Sequence, residues 1–147
     1  MDLAYLFLAE AVHTGEGKFY AFGGGVHHLQ SIGFPANVPL LAVIAGIRVP
    51  PEDINPDHRA ELRGISPDGE EFFRKTDIPV PANPIQGRPD LPVFSILAFN
   101  FRGLPLALPG TYVFVLSVDG VELGKVSFTC DIAPSEEHVP GLPSEQG

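Results

Sequence analysis

The fold is decided by YVFVLSV at residues 112–118 and VELGKVSFTC at residues 121–130, two apolar runs joined by the dipeptide Asp119-Gly120. Aspartate followed by glycine can occupy the two central positions of a type I′ turn, which requires positive φ at both. The twist of such a turn matches that of its flanking strands, so this pattern is a strong signal for a β-hairpin. We therefore predict a long hairpin at the end of the folded chain.

The turn also predicts the register of this hairpin, because a two-residue loop fixes which residues pair. Apolar side chains meet along the whole hairpin only if the register shifts by one residue partway along the second strand. That shift predicts a β-bulge near Gly124-Lys125. The predicted pairs are Val118 with Val121, Leu116 with Leu123, Phe114 with Val126 and Tyr112 with Phe128.

Six further stretches are apolar or alternate between apolar and polar residues, as strands do. They are Leu3–Ala9, Lys18–Phe22, Leu40–Val49, His58–Gly64, Glu70–Asp77 and Val93–Phe101. We expect the first two to pair as a hairpin and the third, which is the most apolar, to be a central strand. Ser66-Pro67-Asp68-Gly69 fits a type I turn between the fourth and fifth. The proline-rich stretch 78–92 predicts a crossover between two sheets.

Composition supports the same class of fold. The chain has 147 residues, of which 44% are hydrophobic, and its 16 glycines and 16 prolines divide it into short segments. We predict an all-β protein: a two-sheet antiparallel β-sandwich of about eight strands, with Greek-key connections and an immunoglobulin-like or C2-like shape. Residues 1–132 form the single domain in this prediction, and residues 133–147 form a flexible, acidic tail rich in proline, glycine and serine.

Charge and cysteine content limit the classes of partner. A net charge of −9 without a basic cluster repels phosphate backbones and anionic membranes, so we expect neither nucleic acid nor membrane as a partner. No apolar run approaches the roughly 20 residues of a membrane span, and Met1-Asp2 lacks the positive start of a signal peptide. The single Cys130 fits a reducing compartment. The predicted location is therefore cytoplasmic.

Short signatures in a fixed order resemble an uncharacterised bacterial family of small all-β domains of unknown function. They lie at residues 9–12, 17–20, 23–25, 34–36, 48–50, 58–62, 67–69, 104–106 and 109–110, followed by the final hairpin. The resemblance spans roughly residues 1 to 130. These are turn and core signatures, so the resemblance implies the fold and no activity.

Few residues are candidates for a chemical site. His27, His28, Asp57 and His58, with Asp53 nearby in sequence, form the only group that resembles metal ligands. Adjacent histidines on a strand point to opposite faces, so at most one of the first two serves a given site. We therefore predict no catalytic residue, no metal and no cofactor, and we interpret these histidines as loop residues near a bend.

Two other motifs favour structural roles. The run Gly23-Gly24-Gly25 lacks the Lys and Ser or Thr of a phosphate-binding loop, which favours a bend of the backbone. Cys130 shares a strand face with apolar residues, which favours a small core residue over a nucleophile.

Two functional hypotheses follow. The first is a non-catalytic domain that binds another protein or self-associates as a homo-oligomer, through an edge strand or an apolar sheet face. A charged fraction of only 18% favours it. The second is a small-molecule binder or metal-assisted enzyme that uses His27 or His28 with Asp57 and His58. The second hypothesis requires these side chains to converge in one pocket.

Overall fold

The computed structural model describes residues 1–134 and shows an all-β protein of ten strands in three sheets, so the predicted class is confirmed. The strands are β1 (Asp2–Ala9), β2 (Ala11–Gly15), β3 (Lys18–Phe22), β4 (His28–Ser31), β5 (Ala36–Val49), β6 (Arg59–Ile65), β7 (Glu71–Pro79), β8 (Val93–Leu106), β9 (Gly110–Val118) and β10 (Val121–Ile132). Pro51–Asp53 adds a short 3₁₀ helix. No helix within this part of the chain is long and apolar enough to cross a membrane.

The strand count and the sheet count differ from the prediction of about eight strands in two antiparallel sheets. The short strands β2 and β4 were not predicted: β4 has only four residues, and the tight turn that joins β2 to β3 was not recognised. The sheets have the orders β4-β10-β9-β6-β7, β1-β5-β8 and β2-β3. Strand β4 runs parallel to β10, so the five-stranded sheet is not wholly antiparallel.

The larger two sheets share one hydrophobic core. Phe101 on β8 of the three-stranded sheet stacks on Phe114 on β9 of the five-stranded sheet, with ring centroids 5.4 Å apart. Tyr112 and Phe128 continue this aromatic packing within the five-stranded sheet, at a centroid distance of 5.3 Å. The core therefore lies between these two sheets, and the crossover after β7 connects them as predicted.

The β2–β3 ribbon packs on the outer face of the three-stranded sheet and forms a second, smaller core. Its contacts with that face involve Val12 and Phe19 of the ribbon and Tyr5, Phe7 and Ile44 of the sheet. This arrangement explains why β5 is apolar on both faces: one face meets the main core and the other meets the ribbon. The central position predicted for this strand is confirmed.

The predicted pairing of Leu3–Ala9 with Lys18–Phe22 is wrong. Strand β1 pairs with β5, and β3 pairs with β2 instead. The reason is a second tight turn: Glu16 and Gly17 have φ values of 53° and 72°, and the flanking Gly15 and Lys18 are paired. Positive φ at both central residues is the type I′ geometry, which closes the ribbon locally.

One side chain ties the ribbon to the sheet beneath it. The Asn100 side-chain amide of β8 donates from Nδ2 to the Val12 carbonyl at 2.9 Å, and its Oδ1 accepts from the Val12 N–H at 3.0 Å. These two hydrogen bonds satisfy the backbone N–H and C=O of Val12, as a neighbouring strand would.

The final hairpin has the predicted turn. Asp119 and Gly120 have φ values of 51° and 81°, and Val118 lies opposite Val121. The bulge occurs one residue earlier than predicted, because Leu116 pairs with Gly124 and not with Leu123. A Cβ on Gly124 would lie 2.5 Å from Leu3 Cδ1, so glycine at this position lets β1 approach the bulge. The outer pairs, Phe114 with Val126 and Tyr112 with Phe128, form as predicted.

Two edge strands, β7 and β8, lie on the same side of the molecule and line the largest of the cavities described below. Strand β7 is one edge of the five-stranded sheet, and β8 is one edge of the three-stranded sheet. Strand β8 continues to Leu106 and thus extends beyond the predicted end at Phe101. The predicted tail lies, from residue 135 on, outside the described residues.

Candidate binding groove

The histidines and aspartates predicted as possible ligands do not share one cavity. His27 and His28 line a cavity of about 410 Å³, whereas Asp57 and His58 line a different one of about 270 Å³. His28 Nε2 lies 3.0 Å from an oxygen of Asp131, and His27 Nδ1 lies 3.0 Å from the carbonyl oxygen of Gly25. Among residues 1–134, no group of three His, Cys, Asp or Glu side chains is arranged to hold a metal ion.

The glycine run beside these histidines forms the predicted bend. Gly23 and Gly25 have φ values of 62° and 87°, a region that residues with a Cβ rarely adopt. The Gly25 N–H donates to the Leu8 carbonyl at 2.9 Å, which fastens the bend to the end of β1.

His58 is held from both sides of its ring. Nδ1 lies 2.5 Å from Asp119 Oδ2 and Nε2 lies 2.6 Å from the carbonyl oxygen of Asp53, so only the protonated ring can donate at both nitrogens. The hydrogen bond to Asp119, followed by that to the Asp53 carbonyl, raises the pKa of His58. The His58 side chain is only 9% exposed. This ring therefore connects the start of β6 to the β9–β10 turn.

Asp119 is the centre of this connection, which we call the turn cluster: His58, Asp53, Arg59 and Asp119. The carboxylate of Asp119 accepts from His58 and, through Oδ1, from the Arg59 N–H at 3.0 Å. Both bonds lower the pKa of Asp119, with the His58 bond the larger cause. The backbone N–H of Asp119 donates to the Arg59 carbonyl at 2.9 Å. The cluster thus fixes the turn and engages the side chains of His58 and Asp119 in hydrogen bonds.

A larger cavity, of about 580 Å³, runs along the edge of β8. Six consecutive residues of this strand, Phe94–Phe99, line it. Successive side chains of a strand point to opposite faces, so a cavity that touches all six must face the backbone edge of the strand. In the described part of the chain, β8 pairs only with β5 on its other side. We call this cavity the β8 groove.

The β8 groove has two walls. The wall on the outer side is the β2–β3 turn, with Thr14, Gly15, Gly17 and Lys18. The wall on the inner side is β7 and the chain that follows it, with Lys75, Ile78, Pro79 and Pro81. The open edge of β8 is therefore the floor of a channel bounded by two other elements.

The lining of the β8 groove is apolar and basic. It contains Lys18 and Lys75 and no aspartate or glutamate. Lys75 Nζ lies 6.0 Å from the centre of the Phe99 ring, within the range of a cation–π contact. Ser95 also lines the groove, and its hydroxyl oxygen is buried without a hydrogen-bond partner among the described residues. Such a group costs stability.

The groove was not predicted, because its residues come from three distant segments without a common motif. One signal was present: Phe94, Ile96 and Ala98 are apolar on the strand face opposite Leu97 and Phe99, so both faces of this strand need cover, but the sequence does not show that the strand is an edge. Cys130, by contrast, is buried as predicted, and burial raises the pKa of its thiol.

Comparison with known proteins identifies the family and no activity. No curated protein matches the chain. Among solved structures, the alkylpurine DNA glycosylase AlkC of Pseudomonas fluorescens, bound to DNA containing an abasic site analog, is similar with 12% sequence identity and a TM-score of 0.44. The match covers 88% of this chain and 30% of that chain, and a likeness of this degree carries no argument. The family of unknown function DUF6941 matches residues 4–131, so the chain belongs to that family.

Proposed function

We propose that this protein is a non-catalytic cytoplasmic β-sandwich that binds an extended segment of a protein along the open edge of β8. The observation that carries the proposal is that Phe94–Phe99 all line one cavity. An open strand edge presents N–H and C=O groups, and an extended peptide that pairs with them becomes an additional strand.

The two walls account for selectivity in this mode of binding. Side chains of an added strand alternate between its two faces. One set enters the space beside Phe94, Ile96 and the β2–β3 turn, and the other set meets Leu97 and Ile78 on the side of β7. Backbone pairing supplies affinity independent of sequence, whereas these two spaces select the side chains.

The walls also favour a flexible segment over a folded sheet edge. In a second copy of the protein, β8 is also flanked by the β2–β3 turn and β7. Pairing of two β8 edges would therefore bring the walls of both copies together around the two strands. An extended segment, from another protein or from a second copy, has no such obstacle. Self-association in this proposal therefore takes the form of a segment of one copy in the groove of another.

The placement of the histidines favours binding over metal-assisted catalysis. His27 and His28 line one cavity and Asp57 and His58 another, and His58 is already bonded at both ring nitrogens. The net charge of −9 supports a partner other than nucleic acid. The buried, unpaired Cys130 supports a reducing compartment.

The test is selection of binders from a library of random linear peptides displayed on phage, with the full chain as bait. Amide hydrogen exchange on the selected complexes then reports where the peptide lies. We expect slower exchange at alternate residues within 94–99, those whose backbone N–H groups point away from β5, because pairing with the peptide protects them. Peptides that bind without protecting this strand would overturn the proposal.

A pair of variants locates the site independently. Phe94→Glu places a charge in the groove, and Leu40→Glu places one on the outer face of the neighbouring strand, outside the groove. The two parent side chains are 57% and 50% exposed, so both variants should fold. We expect Phe94→Glu to weaken peptide binding at least about tenfold and Leu40→Glu to leave it unchanged. Equal losses would contradict the assignment.

Sedimentation equilibrium over a wide range of concentration tests the self-association form. A mass that rises with concentration, and a smaller rise for Phe94→Glu, is the expected result. A monomer at every concentration would restrict the proposal to segments of other proteins.

A further inference from the structure

We infer that the segment bound by the β8 groove is acidic, and that Lys18 and Lys75 select it by pairing with its carboxylate side chains. The inference rests on the proposed function and names the class of partner: an extended protein segment with aspartate or glutamate among its groove-facing residues.

Most of the lysine charge of this chain lies at the β8 groove. The whole sequence has 18 acidic residues against nine lysines and arginines. Only three of the nine are lysines, Lys18, Lys75 and Lys125, and two of these three line the β8 groove. No aspartate or glutamate lines it. In a protein this acidic, a cavity lined by two cations and no anion complements a negatively charged ligand.

Neither of these two cations has an ion-pair partner within the described part of the chain. Arg48, Arg63, Arg74 and Arg88 each lie within 4.0 Å of a carboxylate oxygen. Lys18 and Lys75 have no such pair among residues 1–134. Four of the six arginines are thus engaged within the folded chain, while the groove lysines keep their charge available to a ligand.

Both lysines lie on strands. Lys18 is the first residue of β3 and directly follows the tight Glu16-Gly17 turn. Lys75 lies on β7, where it pairs with Leu62, and its ammonium lies over the Phe99 ring. The two charges therefore stand on opposite walls of the groove, one on each side of the β8 edge.

This placement matches the geometry of an added strand. Groove-facing side chains of an extended peptide alternate between the two walls, so neighbouring acidic residues can each reach a different lysine. Both lysine side chains are exposed, so this attraction is screened by salt, and the apolar lining of the groove supplies the rest of the contact. An acidic segment with alternate apolar residues therefore fits the groove better than a uniformly charged polymer.

The experiment uses the peptides selected with the full chain. We expect aspartate or glutamate to be enriched at fixed positions. Replacing that residue by its amide should weaken binding to the parent protein about tenfold. The same replacement should weaken binding to the Lys75→Gln or Lys18→Gln variant by much less, because the cation that pairs with the carboxylate is absent from that variant. Lys125→Gln is the matched control: it removes the third lysine of the chain, which lies outside the groove, and should behave as the parent. Raising the salt concentration should weaken parent binding more than variant binding.

The outcomes separate this inference from the proposed function. Neutral selected peptides that protect residues 94–99 but are indifferent to both lysine variants would overturn the acidic class and leave strand addition standing. Failure to select any peptide that protects these residues would overturn strand addition itself. A free dicarboxylate such as succinate is the remaining arm. If it bound as tightly as the peptides, with the same dependence on Lys18 and Lys75, the ligand would be a small anion and the inference of a protein segment would fail.

Discussion

The polar side chains of the turn cluster are paired with each other, whereas those of the β8 groove are not. In the turn cluster, both ring nitrogens of His58 and both carboxylate oxygens of Asp119 have hydrogen-bond partners. In the groove, the Ser95 hydroxyl has no partner among the described residues, and neither Lys18 nor Lys75 forms an ion pair with them. A buried hydroxyl without a partner lowers the stability of the folded chain, whereas exposed cations without a partner cost little and remain available to a ligand. Variants of the turn cluster should therefore lower stability, and variants of the groove should change binding without a loss of stability.

The largest effect on folding is expected from Gly120→Val in the turn that the cluster holds. The φ of Gly120 is 81°, and a β-branched residue there should cost about 1 to 3 kcal/mol. A slip of register would add to this, since Val118 and Leu116 would leave the core. Urea unfolding measures the loss as a lower midpoint.

Gly15→Val is the matched control for this turn variant. Gly15 ends strand β2, its φ is not positive, and only His13 lies near the position of an added Cβ, at 3.9 Å. We expect a change within about 0.5 kcal/mol, because valine suits a strand. Equal midpoints for the two variants would show that the Asp119-Gly120 turn does not set the pairing.

A smaller, pH-dependent effect is expected from His58→Gln. The folded-state pKa of His58 is raised above its usual 6.5, so its contribution is fully present below that value and is lost as pH rises through the folded-state pKa. The pKa of Asp119 is lowered from 3.8, so its contribution is present above that value and is lost as pH falls through the folded-state pKa. The pair therefore stabilises most between about pH 4 and 6.5.

Urea midpoints of parent and His58→Gln at several pH values measure this difference. We expect the parent to be more stable by on the order of 1 kcal/mol near pH 5.5, with a smaller gap at pH 9. A gap that is the same at both values would show that the charge on the imidazole contributes nothing.

The smallest effect, with the opposite sign, is expected from Ser95→Ala in the groove. Removing a buried hydroxyl without a partner should raise stability by up to about 1 kcal/mol. Ser127→Ala removes an exposed hydroxyl from β10 and should be neutral. Thermal melting compares the two. A marked loss of stability in Ser95→Ala alone would mean that the hydroxyl is hydrogen-bonded in solution. The groove would then not differ from the turn cluster in this respect.

The parts of the fold that follow from local residues could be predicted from the sequence. The Asp119-Gly120 turn, the bulge near Gly124 and the Pro67-Asp68-Gly69 turn all depend on neighbours in the chain, and each is present. The β2–β3 ribbon was missed because Glu16-Gly17 lacks the Asn or Asp that usually marks a type I′ turn. The apolar character of β5 on both faces was visible, but it does not say which element covers the second face.

The candidate site could not be predicted for a related reason. The β8 groove joins residues 14–18, 75–81 and 94–99, and it exists because β7 and β8 are edges of different sheets on the same side. Edge position is a property of strand order, which depends on pairing between distant segments and not on local patterns. The histidines attracted attention because their chemistry is visible in the sequence, whereas an open backbone edge has no residue signature.

The Asn100–Val12 bond pair has a consequence for how this domain can diverge. Two paired strands can shift by two residues and still form equivalent hydrogen bonds, because every second position of a strand is equivalent. The Asn100 side chain bonds to the backbone of one residue only, so it does not permit such a shift. Asn100 directly follows the groove residues Phe94–Phe99 on the same strand, so it locates the ribbon, and with it Lys18, at a set distance along β8. Insertions before Val12 at the start of β2, or at the Leu106 end of β8, would leave the channel intact, whereas one residue gained or lost between Phe94 and Asn100 would move its wall relative to its floor. Relatives can therefore change the amino acids that line the channel, and thereby its preferred partner, more readily than the length of this segment.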